Sequence, residues 1–191
     1  MVIRALILAL LAAIGVVASV AQIDRQARRT PVMAQFVPNA WGGFAAEHQA
    51  GAAIARGDGA EAQRLSATLV RHRPMRSEHL RLLAQACAMN GDDALASAAI
   101  GAAAQLGWRD GLTQRAMIEL AIARGDHADA ARRFAALRAT GSPLAGEDGL
   151  AAQVFAHPRA RQELRRLLQE NPRWATRWTD AELRQLRIAP D

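Results

Sequence analysis

No lysine and no tyrosine occur in this chain of 191 residues, cysteine occurs once, and there are only four tryptophans and four phenylalanines. A single cysteine, Cys87, excludes an internal disulfide, so packing alone must hold the fold; it leaves the redox compartment open. Cys87 lies in an apolar helical pattern and reads as a small buried residue, not as a nucleophile. The scarcity of aromatic residues, with few β-branched ones beyond the first twenty positions, argues against a core built from sheets. What remains abundant is alanine, leucine, arginine and glutamine, which lose little on entering a helix. All 24 basic residues are arginine, which fits a GC-rich coding bias more simply than selection for bidentate anion contacts.

Sites for chemistry are also missing. His48, His72, His79, His127 and His157 form no helical i, i+4 pair, and no histidine, cysteine or carboxylate spacing matches a metal site. Neither a nucleophile elbow nor a glycine-rich phosphate loop is present. The expectation is a non-catalytic protein without cofactors. The formal net charge of +6 comes from arginines interspersed with acids and carries no nucleic-acid motif, so no nucleic-acid partner is expected.

Residues 5–22, ALILALLAAIGVVASVAQ, carry no charge and are long enough to span a bilayer. They read as a transmembrane anchor at a bacterial inner membrane, with the following domain in the periplasm. Alternatively, Ser19-Val20-Ala21 permits cleavage near Ala21, which would leave a soluble periplasmic protein. Arg25, Arg28 and Arg29 on the far side oppose the usual positive-inside bias and suit a cytoplasmic domain better. Residues 23–42, with Pro31 and Pro38, read as an extended linker; Val32, Met33, Phe36, Val37 and Trp41 are candidates to dock on the first pair of helices beyond it.

Gly57-Asp58, Gly91-Asp92 and Gly125-Asp126 recur at a spacing of 34 residues. Five residues after each glycine stands an alanine (Ala62, Ala96, Ala130). Nine after stand Ser66, Ile100 and Phe134, and twelve after stand Leu69, Ala103 and Leu137. A fixed period with glycine in the middle of each unit indicates stacked helical hairpins. The glycine suits the left-handed residue that ends a first helix, and the aspartate caps the second. Arg-Gly-Asp at 56–58 and 124–126 is therefore a turn, not an adhesive ligand, because the middle unit keeps Gly-Asp behind Asn90. Leu80, Leu83, Ala84 and Cys87 form an apolar stripe before the second turn, with Ser77 as a candidate N-cap. Met117, Leu120, Ala121 and Arg124, helped by Ile118 and Ile122, form a weaker one before the third.

On these residues the chain resembles the tetratricopeptide repeat family over about 43–143, as three units. Where that family has large aromatics in the first helix, this chain has Ala46, Leu80 and Gln114, then Ala53, Cys87 and Ala121, which implies tighter packing. The resemblance implies an all-α fold of stacked antiparallel hairpins, an α-solenoid, preceded by the N-terminal hydrophobic helix. Residues 144–191 are then C-terminal capping helices: Ser142-Pro143 begins a helix through LAAQVFA, His157-Pro158 breaks it, and Pro172 stops the next one. Thr179 to Glu182 forms a capping box, and Trp174 and Trp178 pack on the end of the core. The resemblance further implies that the first helix of each hairpin lines a concave face, holding Glu47, Gly51, Arg81, Gln85, Arg115 and Glu119. Arg81, Gln85, Arg115 and Glu119 are the partner-contacting candidates, suited to an extended peptide segment or an envelope complex.

The expected function is thus a membrane-anchored adaptor between proteins of the cell envelope. Arg159, Arg161, Arg165 and Arg166 motivate an alternative, an accessory factor in envelope polysaccharide assembly or export that touches anionic lipid or polysaccharide. An enzyme with a site invisible in sequence is the third expectation.

Overall fold

A computed structural model describes residues 2–39, 41, 43–107, 109–146 and 149–188, and every regular element among them is helical. The helices pack in adjacent pairs. The chain divides into two compact units, Met1–Ala99 and Ile100–Asp191.

The first unit opens with α1 (Val2–Ala27), long and apolar enough to cross a membrane and exposed along its apolar part. Where the sequence suggests an extended linker, α1 runs on past Gln22 to Ala27. A 3-10 segment, Pro31–Phe36, then starts on a proline whose fixed φ suits a first helical turn. Ala27, Ala34, Val37 and Ala45 form a small buried cluster against which Val20, Ile23 and Met33 pack. Of the residues expected to dock, Met33 and Val37 therefore do so, while Val32, Phe36 and Trp41 are exposed. Gln49 ties the segment down, its side-chain amide donating to the carbonyls of Ala34 and Val37 at 2.8 Å each.

The next helix, α2 (Phe44–Ala55), begins at Gly43, which has no side chain to cap it. Asp24 of α1 does so instead: its carboxylate, 6% exposed, accepts from the Ala45 N–H at 2.8 Å. A carboxylate is favoured at the positive end of a helix, and here it comes from another element. A side chain at 43 would run into that carboxylate, so the position requires glycine.

Helices α3 (Gly59–His72) and α4 (Ser77–Met89) complete the core of this unit. α2, α3 and α4 meet through Ala46, Ala50, Ala53, Ala62 and Ala86, with Leu65, Leu69 and Leu82 filling between them. Small residues at so many contact points let the helix axes approach closely. In α4 the buried face turns toward His79, Leu82 and Ala86, whereas Leu80 and Leu83 of the expected stripe are half-buried. Ser77 is the first helical residue rather than the cap; Arg76 precedes it and caps nothing with its side chain.

Helix α5 (Asp93–Leu106) contains the boundary between the units. The second unit continues with α6 (Gly111–Ala123) and α7 (His127–Ala139). Pro143–Gly146 forms a 3-10 turn where a helix is expected, and α8 (Leu150–Phe155) follows separately. Then come α9 (Pro158–Glu170), α10 (Pro172–Ala175) and α11 (Asp180–Gln185). Pro172 begins α10 as well as ending α9, since proline is at home in a first turn. Thr179 and Glu182 form the capping box the sequence suggests. The core here is aromatic: Phe134 is fully buried, edge-on to Phe155 at 5.3 Å between centroids and 6.0 Å from Trp178. The Arg138 guanidinium covers the Trp178 ring at 4.6 Å and reaches Glu182, joining α7 to α11.

The 34-residue rhythm falls on three turns of one construction. Gly57, Gly91 and Gly125 have φ of +77°, +75° and +73°. In each, the glycine N–H bonds back to Ile54, Ala88 or Ile122, and the next N–H to Ala53, Cys87 or Ala121, at 2.9–3.1 Å. This doubly bonded ending satisfies carbonyls that the helix leaves open. The aspartate then accepts from the N–H three residues on, at Glu61, Leu95 or Asp129. Beyond the turns, Ala62, Ala130, Ser66, Phe134, Leu69, Ala103 and Leu137 are fully buried, as their offsets suggest, while Ala96 is half-buried.

Candidate functional site

The four partner-contacting candidates divide two and two between the units. On α4, Arg81 is half-buried and Gln85, one turn later, is exposed. On α6, Arg115 donates from Nε to Glu119 Oε1 at 3.1 Å, a surface pair one turn apart. Each pair thus shares one face of its helix, the first turn of that face being less exposed than the second. Such a face offers an extended backbone both a donor and an acceptor.

Glu47 and Gly51, the equivalent positions on α2, behave differently. Glu47 is drawn inward, where Oε1 meets His79 Nε2 at 2.7 Å and Arg76 Nη1 at 3.2 Å. The other ring nitrogen of His79, Nδ1, lies 3.3 Å from the Arg73 carbonyl. Both ring nitrogens therefore lie within hydrogen-bonding distance of oxygen atoms. Burial pushes the Glu47 carboxyl up, but the His79 hydrogen bond and the charges of Arg76, His79 and Arg73 outweigh it and hold the group below its ordinary value. The His79 side chain has no exposed surface, whereas that of Glu47 is 24% exposed, and the pair binds α4 to α2. Sequence reading missed it because the partners stand 32 residues apart, and only packing of the first helix pair on α4 brings them together.

Three arginines of α9 are engaged within their own unit. Arg161 donates to the carbonyls of Phe155 and Ala156 at 2.8 and 3.0 Å, closing the end of α8. Arg165 donates to the carbonyls of Ile188 and Arg187 at 2.7 and 3.0 Å, beyond α11. Arg166 bridges Glu163 and Glu170. Three of the four residues that motivated a polyanion surface are thus positioned by protein acceptors, and Arg159 alone of them makes no side-chain bond among the described residues. His157 caps α9, accepting from the Arg159 N–H at 3.3 Å, and stacks on His127 with ring centroids 3.9 Å apart.

A cleft of about 470 Å³ lies between the 3-10 segment and the α2–α3 pair, lined among others by Val32, His48, Gln49, Arg56 and Glu61. The Gln49 Oε1 atom there is buried and has no hydrogen-bond partner. Cys87 is buried, and burial together with the Asp92 charge pushes its thiol up. Among the described residues no group of three or more histidine, cysteine or carboxylate side chains is arranged to hold a metal ion. In comparisons with known proteins, no family model, no curated protein and no solved structure matches the chain.

Proposed function

We propose that the protein is a non-catalytic adaptor anchored by α1 in the inner membrane of a bacterium, with tetratricopeptide-like helix pairs that bind an extended segment of a partner protein. The observation that carries this reading is the turn built identically at Gly57-Asp58, Gly91-Asp92 and Gly125-Asp126. A repeated hairpin serves to display one helix face several times, and the faces of α4 and α6 carry Arg81 with Gln85 and Arg115 with Glu119. In this reading α8 to α11 cap the array with an amphipathic surface. Retention of α1 is supported by its continuity through Ala21 and Gln22 and by the packing of Val20 and Ile23 on the 3-10 segment.

Photo-crosslinking residues placed at Gln85 and Glu119 in living cells test the reading. Both positions should yield the same discrete adduct, and control positions at the exposed Arg64 and Arg132 should not. Adducts of equal yield from all four positions, or none from any, would overturn it. The exported orientation follows the usual route of an early apolar segment, while Arg25, Arg28 and Arg29 favour the reverse. Alkaline phosphatase fused after α11 is active only if the domain is exported, and so separates the two.

A further inference from the structure

Between Arg4 and Asp24 lie nineteen uncharged residues of a single helix. At 1.5 Å per residue they extend about 28 Å, close to the hydrocarbon thickness of about 30 Å. With that run inside a bilayer, the next turn of α1 would stand at the level of lipid phosphates. Four charged side chains, Asp24, Arg25, Arg28 and Arg29, occupy that level. The one acid among them is withdrawn, because Asp24 is buried as the cap of α2. Arg25, Arg28 and Arg29 are exposed, and none forms an ion pair among the described residues. With Gln22, Gln26 and Phe44 they line a cleft of about 390 Å³.

A fourth cation reaches Phe44 without lining the cleft itself. Arg73, from the connection between α3 and α4, lies over the Phe44 ring at 4.6 Å, and Arg28 approaches that ring at 5.5 Å. Two guanidinium groups near one aromatic ring repel each other, and an anion bound beside Arg28 in the cleft offsets that repulsion. Guanidinium matches the geometry of a phosphodiester, and the folded unit is joined to α1 beside the cleft through Asp24 and the cluster around Ala27 and Val37.

We propose that this cleft binds the phosphodiester headgroup of an anionic phospholipid in the leaflet next to the folded part, so that the domain is seated on the membrane rather than tethered loosely to it. The proposal rests on α1 being membrane-inserted, as in the function proposed above.

The test uses the full chain, purified in an uncharged detergent and titrated with phosphatidylglycerol, phosphatidylcholine or inorganic phosphate, with retained lipid read by native mass spectrometry. Phosphatidylglycerol should be retained selectively, less so at high salt, and inorganic phosphate should compete only weakly. Near a membrane surface each arginine contributes about 1 kcal/mol, or roughly fivefold in affinity. The Arg25→Gln/Arg29→Gln variant, which removes neither cation from the Phe44 ring, should thus lose about 25-fold. Adding Arg28→Gln should lose more. Equal retention of the two lipids, full displacement by inorganic phosphate, or an unaffected double variant would overturn the inference. Extraction of native membranes at alkaline pH, run in parallel, reports insertion of α1 independently. An inserted chain without lipid selectivity removes only this inference, whereas an extracted chain removes the anchor on which both readings stand.

Discussion

Two glycines six residues apart, Gly51 and Gly57, should respond to alanine with opposite signs. Gly51 lies inside α2, half-buried, and a methyl group added there meets nothing within 4 Å. Alanine has fewer unfolded conformations to lose, so Gly51→Ala should stabilise the fold by about 0.5–1 kcal/mol. Gly57 also has open space around it, but its φ is +77°. A β-carbon in that left-handed conformation crowds its own backbone, at roughly 1–2 kcal/mol. The two variants should therefore differ by about 2 kcal/mol, or some thirtyfold in the ratio of folded to unfolded chains. With a urea dependence of about 2 kcal/mol per molar, their midpoints should lie about 1 M apart, with the unaltered protein between them. Far-ultraviolet circular dichroism of the full chain in an uncharged detergent measures this. Gly91→Ala and Gly125→Ala, with φ of +75° and +73°, should fall with Gly57→Ala. A Gly57→Ala protein as stable as the parent would refute the claim that the 34-residue rhythm is a rhythm of left-handed turns.

Individual side chains give further outcomes. Because the Glu47 carboxyl is held below its ordinary value of 4.5 in the folded state, its contribution is complete above that value and is lost as the pH falls through it and below. Glu47→Gln should accordingly flatten the acid side of a plot of stability against pH, and an unchanged acid limb would count against the His79 and Arg76 contacts. Arg187 is a non-glycine residue with φ of 56°, held where its carbonyl accepts from Arg165. Arg187→Gly keeps that carbonyl and relieves the backbone, so it should raise stability by about 1 kcal/mol in the same urea assay. The Cys87 thiol, raised by burial, should resist alkylation at pH 8 in the native protein and react once urea has unfolded it; rapid native labelling would contradict its placement.

What the chain declares about itself is what local physics controls. Gly-Asp at a fixed spacing, a capping box at Thr179, prolines that open helices and an uncharged apolar run all act within a few residues of one another. Their consequences are therefore readable one residue after another. The faces were less legible. Leu80 and Leu83 look like the core of α4 by hydropathy, yet Leu82, His79 and Ala86 are turned inward. Burial depends on where α2 and α3 lie, and periodicity alone does not choose between overlapping stripes on an alanine-rich helix. Arginine runs mislead for a related reason: in α9 the charges are visible in sequence, but the carbonyls and carboxylates that receive them come from α8, from the residues after α11 and from neighbouring turns.

The candidate surfaces divide along the same line. Arg115 with Glu119 is an i, i+4 pair that helical spacing alone makes neighbours. The Glu47–His79 tie, the capping of α2 by Asp24 and the convergence of Arg28 and Arg73 on Phe44 each join residues at least sixteen positions apart. The sequence by itself determined helices, their turns and an apolar segment long enough for a membrane, because backbone propensity and capping are local. Only the tertiary structure decided that α1 continues into the folded unit instead of trailing a linker. The reason is physical: the buried carboxylate of Asp24 needs a donor, and the donor it finds is an open N–H at the start of a helix that begins twenty residues later.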